Sequence, residues 1–369
     1  MQTVITILGT RPEIIRTCRI VEKLDKYCKH IIVHTNQNFT KNLKDMFYQD
    51  LGLRLPDVTF TTSADTGWNA QSHTTRGLAQ QLADMFPQVE KLFQEVKPDK
   101  VFILGDTNSA LCTIIAERMG IPVYHMEAGN RSYDCKIPEE VNRHLIDAIA
   151  SYNLTYTQTS KEALLREGCN SKKVFLCGNP TLEILDYYQD KIEASDVLKK
   201  YKLKPEEYYL ADFHRTENVD VPERLEEIVK GLNLVGELGY PVICSIHPRT
   251  KSKLDEMKKI SNPNVKFLDA MGYFDFVKLE MYCIVGLTDS GLVSEELNLL
   301  NAPCVIIRDT TERPETVESG SAIISGIHAE KILESVKIMQ GKEGWRIPRG
   351  WDDLNVSDKV VNFILGERQ

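Results

Sequence analysis

The densest group of ionisable side chains in the chain lies around a short apolar run at residues 123–126. It contains two carboxylates, two arginines and a histidine: His125, Glu127, Arg131, Glu139 and Arg143. Glu139 and Arg143 stand four apart at the start of a helical pattern, and such a pair is commonly a surface ion pair worth about 0.2–0.5 kcal/mol. Carboxylates that share a partly buried site instead have pKa values pushed apart, as general acid–base catalysis requires. The group therefore predicts a proton-transfer site, with the surface ion pair as the alternative.

Two polar turns follow earlier apolar runs. In the segment 9–13, a glycine turn precedes a proline suited to a helix start, so backbone N–H groups are available to an anion. Arg11 or Arg16 would supply the countercharge, and an ordinary turn with a surface arginine is the equal alternative. In the second turn, Asp106 follows Gly105 and acts either as a helix cap or as a catalytic carboxylate.

The second half of the chain contains residue types suited to phosphate. His214 and His247 each follow an apolar run, and each has an arginine within the next two residues. One histidine is more often structural, but two such pairs at strand ends favour a phosphate-facing site. Ser290 and Gly291 open a predicted helix whose N-terminus attracts an anion, and Glu296 can accept hydrogen bonds from ribose hydroxyls. Together these residues predict binding of a nucleoside diphosphate.

Ten short apolar runs alternate with helical segments along the chain. The alternation predicts parallel sheets with crossover helices, and the continuous apolar character predicts strands that are covered on both faces. The runs are Val4–Leu8, Ile31–Thr35, Val101–Leu104, Val123–Met126, Val174–Cys177, Tyr209–Phe213, Val242–Ile246, Val265–Leu268, Ile284–Leu287 and Val305–Ile307.

A turn-rich, charged stretch follows the fifth of these runs and predicts a domain boundary. We expect a first domain at 1–175, a second at 176–354, and a closing helix within 355–369 that packs on the first domain. In doubly wound sheets, ligands bind outside the carboxyl ends of the strands, where the polar turns described above are expected to lie.

The composition restricts the class of protein. The chain has 369 residues, 27% of them charged, with a formal net charge of −8. This length favours two domains, the negative charge disfavours a nucleic-acid partner, and no apolar run approaches the roughly 18–20 residues of a membrane span. The first residues lack the pattern of an export signal, and the nine cysteines include no C-x-x-C pair. We therefore expect a cytoplasmic protein with thiols in its core and no metal site.

Two glycine motifs of nucleotide-binding enzymes are absent from the sequence, G-x-x-x-x-G-K-[ST] and G-x-G-x-x-G. The ATPase and dinucleotide oxidoreductase classes therefore lose their main support.

The ordered set of motifs resembles the non-hydrolysing UDP-N-acetylglucosamine 2-epimerase family. From residue 4 to about 326 it comprises GTRPE, GDTNS, HMEAGNR, PEEVNR, GNP, HRTEN, IHPRT, DSG followed by EE, and RDTTERPE. The resemblance implies an α/β fold of glycosyltransferase-B architecture, with two Rossmann-like doubly wound domains and a cleft between them that holds a UDP-sugar. It also implies elimination of UDP across C1–C2 to give a 2-acetamidoglucal, followed by re-addition after C2 is reprotonated from the opposite face. No cofactor is implied, and a homodimer that serves cell-surface polysaccharide synthesis is expected.

The resemblance also implies roles for individual residues. Four match the family's catalytic groups: Asp106, Glu127, Glu139 and His214. Five match residues that hold the UDP moiety: Arg11, Ser290, Gly291, Glu296 and Arg313. Arg16 stands where the family usually has lysine, and the further candidate substrate contacts are Arg143, His247 and Phe276. A carboxylate suits removal of the weakly acidic C2 proton, while cationic and N–H donors suit the departing UDP.

Some positions depart from the family pattern. The replacements are Asn130 for Leu, Thr216 for Arg, Leu292 for Gly and Ser294 for Gln. Asn130, Ser294 and the segments 274–279 and 355–357 are more similar to the branch that converts UDP-2-acetamido-2,6-dideoxy-L-talose to UDP-N-acetyl-L-fucosamine, which leaves the hexosamine open. The segment 37–40 stands in place of a Gln-His-x-Gln segment of the family's allosteric site, so activation by substrate is also open.

Three other activities fit the same motifs less well. A hydrolysing 2-epimerase would release free N-acetylmannosamine, but that branch resembles Gly-x-Arg-Ala where this chain has Arg11-Pro12-Glu13. A glycosyltransferase of the same fold would require an acceptor, since fold does not fix function. A sensor without chemistry would bind the sugar nucleotide but not exchange the C2 proton.

Overall fold

The computed structural model describes residues 1–36, 41–61, 78–135, 137–246, 250–251, 253–254 and 262–366. The chain forms two compact units. The first unit comprises Met1–Asp186 and Arg349–Gln369, and the second comprises Tyr187–Pro348. The second unit is therefore an insertion in the first. Among the described residues, no helix combines the length and the apolar character needed to cross a membrane.

A sheet of seven parallel strands forms the centre of the first unit. The strands are β1 (Thr3–Leu8), β2 (Lys29–His34), β3 (Val58–Thr59), β4 (Lys100–Leu104), β5 (Val123–Met126), β6 (Tyr152–Thr155) and β7 (Val174–Leu176). Their spatial order is β3-β2-β1-β4-β5-β6-β7. This order extends the 3-2-1-4-5-6 arrangement of the Rossmann fold by one strand.

Helices cover both faces of this sheet. They are α1 (Arg11–Tyr27), α2 (Lys41–Asp50), α3 (Leu78–Val96), α4 (Thr113–Arg118), α5 (Pro138–Ile149), α6 (Gln158–Arg166) and α7 (Thr181–Tyr187). Alternate residues of one strand enter different cores: Ile5 and Ile7 pack in one cluster with residues of α3 and α4, whereas Val4 packs in another with residues of α1. Burial on both faces explains the apolar runs of the sequence.

The second unit repeats the same topology with six parallel strands. These are β8 (Tyr209–Asp212), β9 (Val242–Ile246), β10 (Val265–Asp269), β11 (Gly286–Thr288), β12 (Cys304–Ile306) and β13 (Ala322–Ile324), in the order β10-β9-β8-β11-β12-β13. Its described helices are α8 (Gln189–Ala194), α9 (Val197–Lys200), α10 (Thr216–Val219), α11 (Pro222–Gly236), α12 (Tyr273–Met281), α13 (Gly291–Leu299), α14 (Pro314–Glu318) and α15 (Ala329–Met339). The final helix, α16 (Val356–Leu365), belongs to the first unit.

The boundaries differ from the expected 175/176 and 354/355. Residues 176–186 and 349–354 belong to the first unit because they pack on its closing segment. The N–H of Asn179 donates to the carbonyl of Gly350 at 2.8 Å, and Glu183 on α7 accepts from the N–H of Ser357 at 2.8 Å. The helix α16 packs against α1, with Val356, Val360 and Ile364 in the core. The first change of unit, between Asp186 and Tyr187, thus lies inside the turn-rich stretch but later than the expected boundary.

Three short strands were absent from the ten predicted runs: β3, β6 and β13. The first contains only two residues and the last only three, too few to give a periodic pattern. Strand β6 contains the polar Asn153, which is fully buried because its amide donates to the carbonyl of Asp147 at 2.8 Å. A hydrogen bond from another segment thus allows a polar residue to lie in a buried strand, where the sequence pattern disfavours it.

Each sheet has one point where the strand order reverses, between β1 and β4 in the first unit and between β8 and β11 in the second. Loops at such a point diverge to opposite sides of the sheet and leave a crevice outside the carboxyl ends of the strands. The polar turns at residues 9–13 and 105–109 follow β1 and β4, and those at 212–218 and 289–291 follow β8 and β11. The sequence clusters therefore lie where α/β folds bind ligands.

Candidate active site

The turns after β1 and β4 lie in close contact. A Cβ atom on Gly9 would approach the Ser109 hydroxyl oxygen to 1.9 Å and that of Thr35 to 2.5 Å, so only glycine fits. The hydroxyl groups of Ser109 and Thr35 are themselves hydrogen-bonded at 2.6 Å. This packing brings the start of α1, which carries Arg11, beside the turn that carries Asp106.

Asp106 is held by α5. Its Oδ2 lies 2.6 Å from Nη2 of Arg143, and its carbonyl accepts from Nδ2 of Asn142 at 2.9 Å. Thr107, not Asp106, occupies the cap position of the short helical turn that follows. The alternative that Asp106 serves as a helix cap is therefore wrong, since its carboxylate is committed to an arginine.

The arginine of this pair has a second partner that the sequence did not predict. Nη1 of Arg143 donates to Glu140 at 2.6 Å, three residues away on the same helix. Glu140 is fully buried, and although burial opposes ionisation, hydrogen bonds from the Ser132 N–H and from Arg143 hold its pKa below the usual range. Glu139 lies in the first turn of α5 with intermediate exposure.

Glu127 directly follows β5 and is 5% exposed. Its φ of 72° lies in the left-handed region, which is unusual for a residue with a side chain and typical of functional positions. Oε2 accepts from Nη1 of Arg16 at 2.5 Å and from the Tyr156 hydroxyl at 3.5 Å. A Cβ on Gly105 would lie 3.9 Å from this same oxygen, so the Glu127 carboxylate lies beside the turn that carries Asp106.

The two remaining members of the first cluster share a buried partner, Asp147. His125 is fully buried, with Nδ1 3.0 Å from Asp147 and Nε2 2.8 Å from the carbonyl of Gly105. Although burial disfavours the imidazolium, the neighbouring Asp147 carboxylate raises the pKa of His125. Arg131 pairs with Asp147 at 2.8 Å and with Glu167 at 2.5 Å. His125 and Arg131 thus secure α5 and the end of α6 to the sheet, and His125 also holds the turn that carries Asp106 through the Gly105 carbonyl.

In the second unit, a buried carboxylate organises the turn that carries His214. Asp289, which follows β11, accepts from the N–H groups of His214 and Arg215 at 3.0 and 3.1 Å, and from Nδ2 of Asn218 at 3.0 Å. Burial raises the pKa of Asp289 above its usual value. Nδ1 of His214 lies 3.8 Å from Asp289 and 3.5 Å from Asp212, while its ring is partly exposed. The histidine is thus oriented by carboxylates on one side and accessible on the other.

The start of α13 combines small residues with oriented arginines. Ser290 caps the helix with extended backbone angles, and Gly291 is its first residue. A Cβ on Gly291 would lie 2.8 Å from Oε1 of Glu312. This buried carboxylate pairs with Arg215 at 3.3 Å and with Arg308 at 2.7 Å. A helix N-terminus flanked by arginines in this way is suited to a diphosphate.

Three further predicted contacts lie around α12 and α13. Glu296 is buried and accepts from the Tyr273 hydroxyl at 2.9 Å. Phe276 packs in the apolar cluster beneath these helices. Arg313 is buried, and its Nε donates to Glu295. A Cβ on Gly291 would lie 3.7 Å from Cγ of Arg313, so the arginine lies beside the helix start.

Two predictions concern residues outside the described part of the chain. His247, the second histidine assigned to phosphate, is one of these residues, and so is the segment 37–40 assigned to an allosteric site. Arg11, by contrast, is described: it begins α1 and lies over the Phe47 ring, 5.6 Å from its centroid.

Glu13 is a buried residue of the first unit that received no role from the sequence. It is 2% exposed and accepts hydrogen bonds from Gly9, Thr10 and Thr107. Burial raises the pKa of Glu13 to about 7, despite these hydrogen bonds. The only signal in the sequence was its spacing from Thr10, which indicates a capping box but gives no indication of the bond to Thr107.

The chemistry available to each unit follows from these contacts. The first unit presents two carboxylates, Asp106 and Glu127, each fixed by an arginine beside Gly105. Such groups can accept and return a proton at a fixed position. The second unit presents a helix N-terminus, arginines and an oriented histidine, which suit an anionic leaving group. Among the described residues, no group of three or more His, Cys, Asp or Glu side chains is arranged to hold a metal ion.

Comparison with known proteins identifies relatives that act on UDP-sugars. A family model described as UDP-N-acetylglucosamine 2-epimerase matches residues 22–365. The UDP-N-acetylglucosamine 2-epimerase of Methanocaldococcus jannaschii is 39% identical over 355 residues, 93% of this chain and 94% of that protein. The UDP-2,3-diacetamido-2,3-dideoxy-D-glucuronate 2-epimerase of Pseudomonas aeruginosa is 30% identical over 344 residues, 92% of each chain.

Solved structures extend the likeness to the fold. The crystal structure of the Methanocaldococcus jannaschii UDP-GlcNAc 2-epimerase in complex with UDP-GlcNAc and UDP has a TM-score of 0.88 at 37% identity, covering 98% of this chain and 99% of that one. The predicted fold class, two Rossmann-like domains of the glycosyltransferase-B type, is confirmed. The resemblance predicted from the ordered motifs is also confirmed: the chain belongs to the UDP-N-acetylglucosamine 2-epimerase family.

Proposed function

We propose that the protein interconverts a UDP-N-acetylhexosamine and its C2 epimer without hydrolysis, with UDP-GlcNAc as the first substrate to test. The observation that carries this proposal is the placement of Asp106 and Glu127 on either side of Gly105, at the carboxyl ends of β4 and β5, each bonded to an arginine. Epimerisation at C2 needs groups that remove a proton from one face of the sugar and return one to the other. Two carboxylates fixed by different arginines supply them.

The reaction balances without a redox partner. A carboxylate removes the C2 proton, the C1–O bond breaks and UDP leaves with the bonding electron pair, which gives the 2-acetamidoglucal. UDP oxygen then adds back at C1 while C2 takes a proton from the opposite face. We assign proton transfer to Asp106, Glu127 and Glu139, and assign stabilisation of the leaving UDP to His214 with Arg11, Arg16 and Arg143.

The second unit supports the assignment of UDP as the leaving group. Ser290 and Gly291 open α13 beside the arginines that Glu312 orients, which suits the diphosphate. Glu296, fixed by the Tyr273 hydroxyl, suits the ribose, and Phe276 and Arg313 complete this set. The proposal assigns this set and the carboxylates of the first unit to one substrate molecule.

The experiment that tests this function is incubation with UDP-GlcNAc in deuterium oxide, followed by NMR and mass spectrometry. We expect UDP-ManNAc and incorporation of one deuterium at C2 in both epimers, with the UDP linkage intact. Free N-acetylmannosamine together with stoichiometric UDP would instead establish hydrolysis. Turnover that requires an added acceptor would establish a glycosyltransferase, and binding without exchange would establish a sensor.

A second substrate has a specific observation in its favour. Asn130, one of the positions shared with the fucosamine-forming branch, is buried and accepts from the Ser160 hydroxyl at 2.8 Å. The relative from Pseudomonas aeruginosa is named as an epimerase of a different UDP-sugar, UDP-2,3-diacetamido-2,3-dideoxy-D-glucuronate, which supports more than one sugar within the family. The same deuterium experiment with UDP-2-acetamido-2,6-dideoxy-L-talose compares the two substrates by kcat/KM.

We also propose that the protein acts as a homodimer in the synthesis of cell-surface polysaccharide precursors. Val141, Leu145 and Ile149 recur at four-residue spacing along α5, and all three are exposed. An apolar stripe of this kind is typical of a surface that another protein covers. Light scattering coupled to size-exclusion chromatography measures the mass, and we expect Leu145→Glu to shift a dimer to a monomer.

A further inference from the structure

We propose that Glu13 is a positioning residue for Asp106, an inference that rests on the proposed epimerase function. Its carboxylate bridges the turn after β1 and the turn after β4. Oε2 accepts from the Gly9 N–H at 2.5 Å, and Oε1 accepts from the Thr107 hydroxyl at 2.6 Å. Thr107 is the neighbour of Asp106 in the chain, so this bond fixes the backbone from which the Asp106 side chain extends.

A capping role accounts for only part of these contacts. In a capping box the glutamate bonds to the backbone three residues earlier, as Glu13 does with the Thr10 N–H at 3.3 Å. The bond to Thr107 joins residues 94 positions apart and contributes nothing to the end of α1. It is explained by a need to hold the two turns together.

The turn that carries Asp106 is held on its other side by α5. Asn142 donates to the Asp106 carbonyl at 2.9 Å and Arg143 pairs with its carboxylate at 2.6 Å. These contacts fix the carboxylate relative to α5, while His125 and Thr35 hold Gly105 and Ser109 at the two ends of the turn. The bond from Thr107 to Glu13 is the attachment next to Asp106 itself, and it ties this part of the turn to the helix that carries Arg11 and Arg16.

The site is built tightly enough for this attachment to matter. Glu13 is 2% exposed, so water cannot replace the hydrogen bond to Thr107 unless a cavity opens beside the carboxylate. The Thr35–Ser109 hydrogen bond and the contact between Gly9 and Ser109 leave little room around it. Displacement of a catalytic group by about 1 Å costs on the order of 100-fold in rate, so a small pivot is measurable.

Four variants test the inference in the full-length protein. Glu13→Ala removes the carboxylate, and Thr107→Val removes the hydroxyl with little change of shape. Glu13→Gln keeps an oxygen for the backbone N–H groups and an amide that can donate to Thr107. Thr107→Ser keeps the hydroxyl. The readouts are kcat and KM for UDP-GlcNAc, the rate of C2 deuterium exchange, and crystal structures of Thr107→Val and wild type.

We expect Glu13→Ala and Thr107→Val to lower kcat and C2 exchange by about 10- to 100-fold, with KM changed by less than about threefold. Glu13→Gln and Thr107→Ser should recover to within about threefold of wild type. Because both losses break the same bond, the double variant Glu13→Ala/Thr107→Val should be no slower than the worse single variant. In the crystal structure of Thr107→Val, the Asp106 carboxylate should be displaced relative to Arg16.

Three results would overturn the inference: wild-type kcat in Thr107→Val, multiplicative losses in the double variant, or an undisplaced Asp106 in the Thr107→Val structure. Glu183→Gln is the matched control. Glu183 is another buried glutamate that accepts from a backbone N–H and a hydroxyl, but those groups belong to Ser357 at the start of α16. Wild-type kcat is expected for this control.

Failure of the proposed function is recognised separately. If the wild-type protein turns over no UDP-sugar, the epimerase proposal fails, whereas the displacement of Asp106 in the Thr107→Val structure is still measured. If the wild type epimerises and the variants do not follow the expected pattern, the epimerase proposal stands and the role of Glu13 fails.

Discussion

Arg16 and Glu127 form a hydrogen-bonded ion pair of 2.5 Å in which the side chains are 4% and 6% exposed. Arg16 extends from α1, which follows β1, and Glu127 follows β5, so the pair joins two segments on either side of β4 at the carboxyl edge of the first sheet. Removal of one partner of a buried pair leaves the other charge uncompensated, at a cost of about 3–5 kcal/mol. The pair therefore links the stability of the first unit to the position of a proposed catalytic carboxylate.

We predict that Arg16→Met lowers the free energy of unfolding by about 3–5 kcal/mol, measured by urea denaturation at pH 7. The double variant Arg16→Met/Glu127→Gln should recover much of this loss, because no lone charge is then buried. Arg19→Met is the control, since its bond goes to the partly exposed Glu22 on the same helix. An unfolding free energy of Arg16→Met equal to that of wild type would contradict the prediction.

Glu127→Gln and His214→Ala should each give a folded protein that has lost nearly all epimerisation. The amide cannot take the C2 proton, and loss of the imidazole removes a donor to the leaving UDP. Product formation from UDP-GlcNAc measures the loss, and circular dichroism confirms the fold. Wild-type rates in both variants would refute the assigned roles.

The fold of both units could be predicted from the sequence because burial on both faces gives strands continuous apolar runs. All ten runs overlap strands of the two sheets, and β5 and β9 match their predicted bounds. Strand β6 escaped prediction because Asn153 is polar, and its suitability depends on a carbonyl from another segment. The sequence around Asn153 does not indicate that the Asp147 carbonyl will be its partner.

The stability of the first unit should depend on pH through Glu13. Burial raises the pKa of Glu13 from 4.5 to about 7, so the folded state holds its proton more strongly than the unfolded state does. The stabilisation is complete below about pH 4.5 and is lost as the pH rises through 7, a change of about 3 kcal/mol. The side chain in Glu13→Gln cannot ionise, so this variant should not lose stability through position 13 as the pH rises.

Urea denaturation of wild type and Glu13→Gln at pH 5 and pH 8 measures this effect. We expect the variant to gain stability relative to wild type between the two values, by up to about 3 kcal/mol. Glu183→Gln provides the comparison. An equal difference between wild type and Glu13→Gln at both pH values would show that Glu13 does not titrate in this range.

Asp289→Ala should weaken UDP binding in the second unit. The substitution removes the acceptor for the N–H groups of His214 and Arg215, and each unsatisfied buried donor costs about 1–3 kcal/mol. We expect the dissociation constant for UDP, measured by calorimetry, to rise at least tenfold. Asp269→Ala is the control, because this carboxylate at the end of β10 is exposed and pairs with Lys251. Unchanged affinity in Asp289→Ala would argue against a role for this turn in binding UDP.

The partners of the candidate residues were less predictable than the residues themselves. The spacing of Glu139 and Arg143 indicated a pair on one helix, but it gave no sign that Arg143 bonds to Glu140 and to Asp106 on another segment. His125 stood near Glu127 in the chain, yet its ring bonds to Asp147 on α5 and to the carbonyl of Gly105. Apart from Glu140, these partners come from other segments, so a local pattern does not contain them.

The insertion of the second unit into the first has a consequence for biosynthesis. Phe363 on α16 stacks on Phe175 with ring centroids 4.1 Å apart and meets Tyr124 and Tyr152 edge-on at 5.9 Å. These aromatic side chains of β5, β6 and β7 are translated long before their partner. As the nascent chain emerges, residues 187–348 can complete the second sheet before α16 is made. The aromatic face of the first sheet stays uncovered until α16 leaves the ribosome.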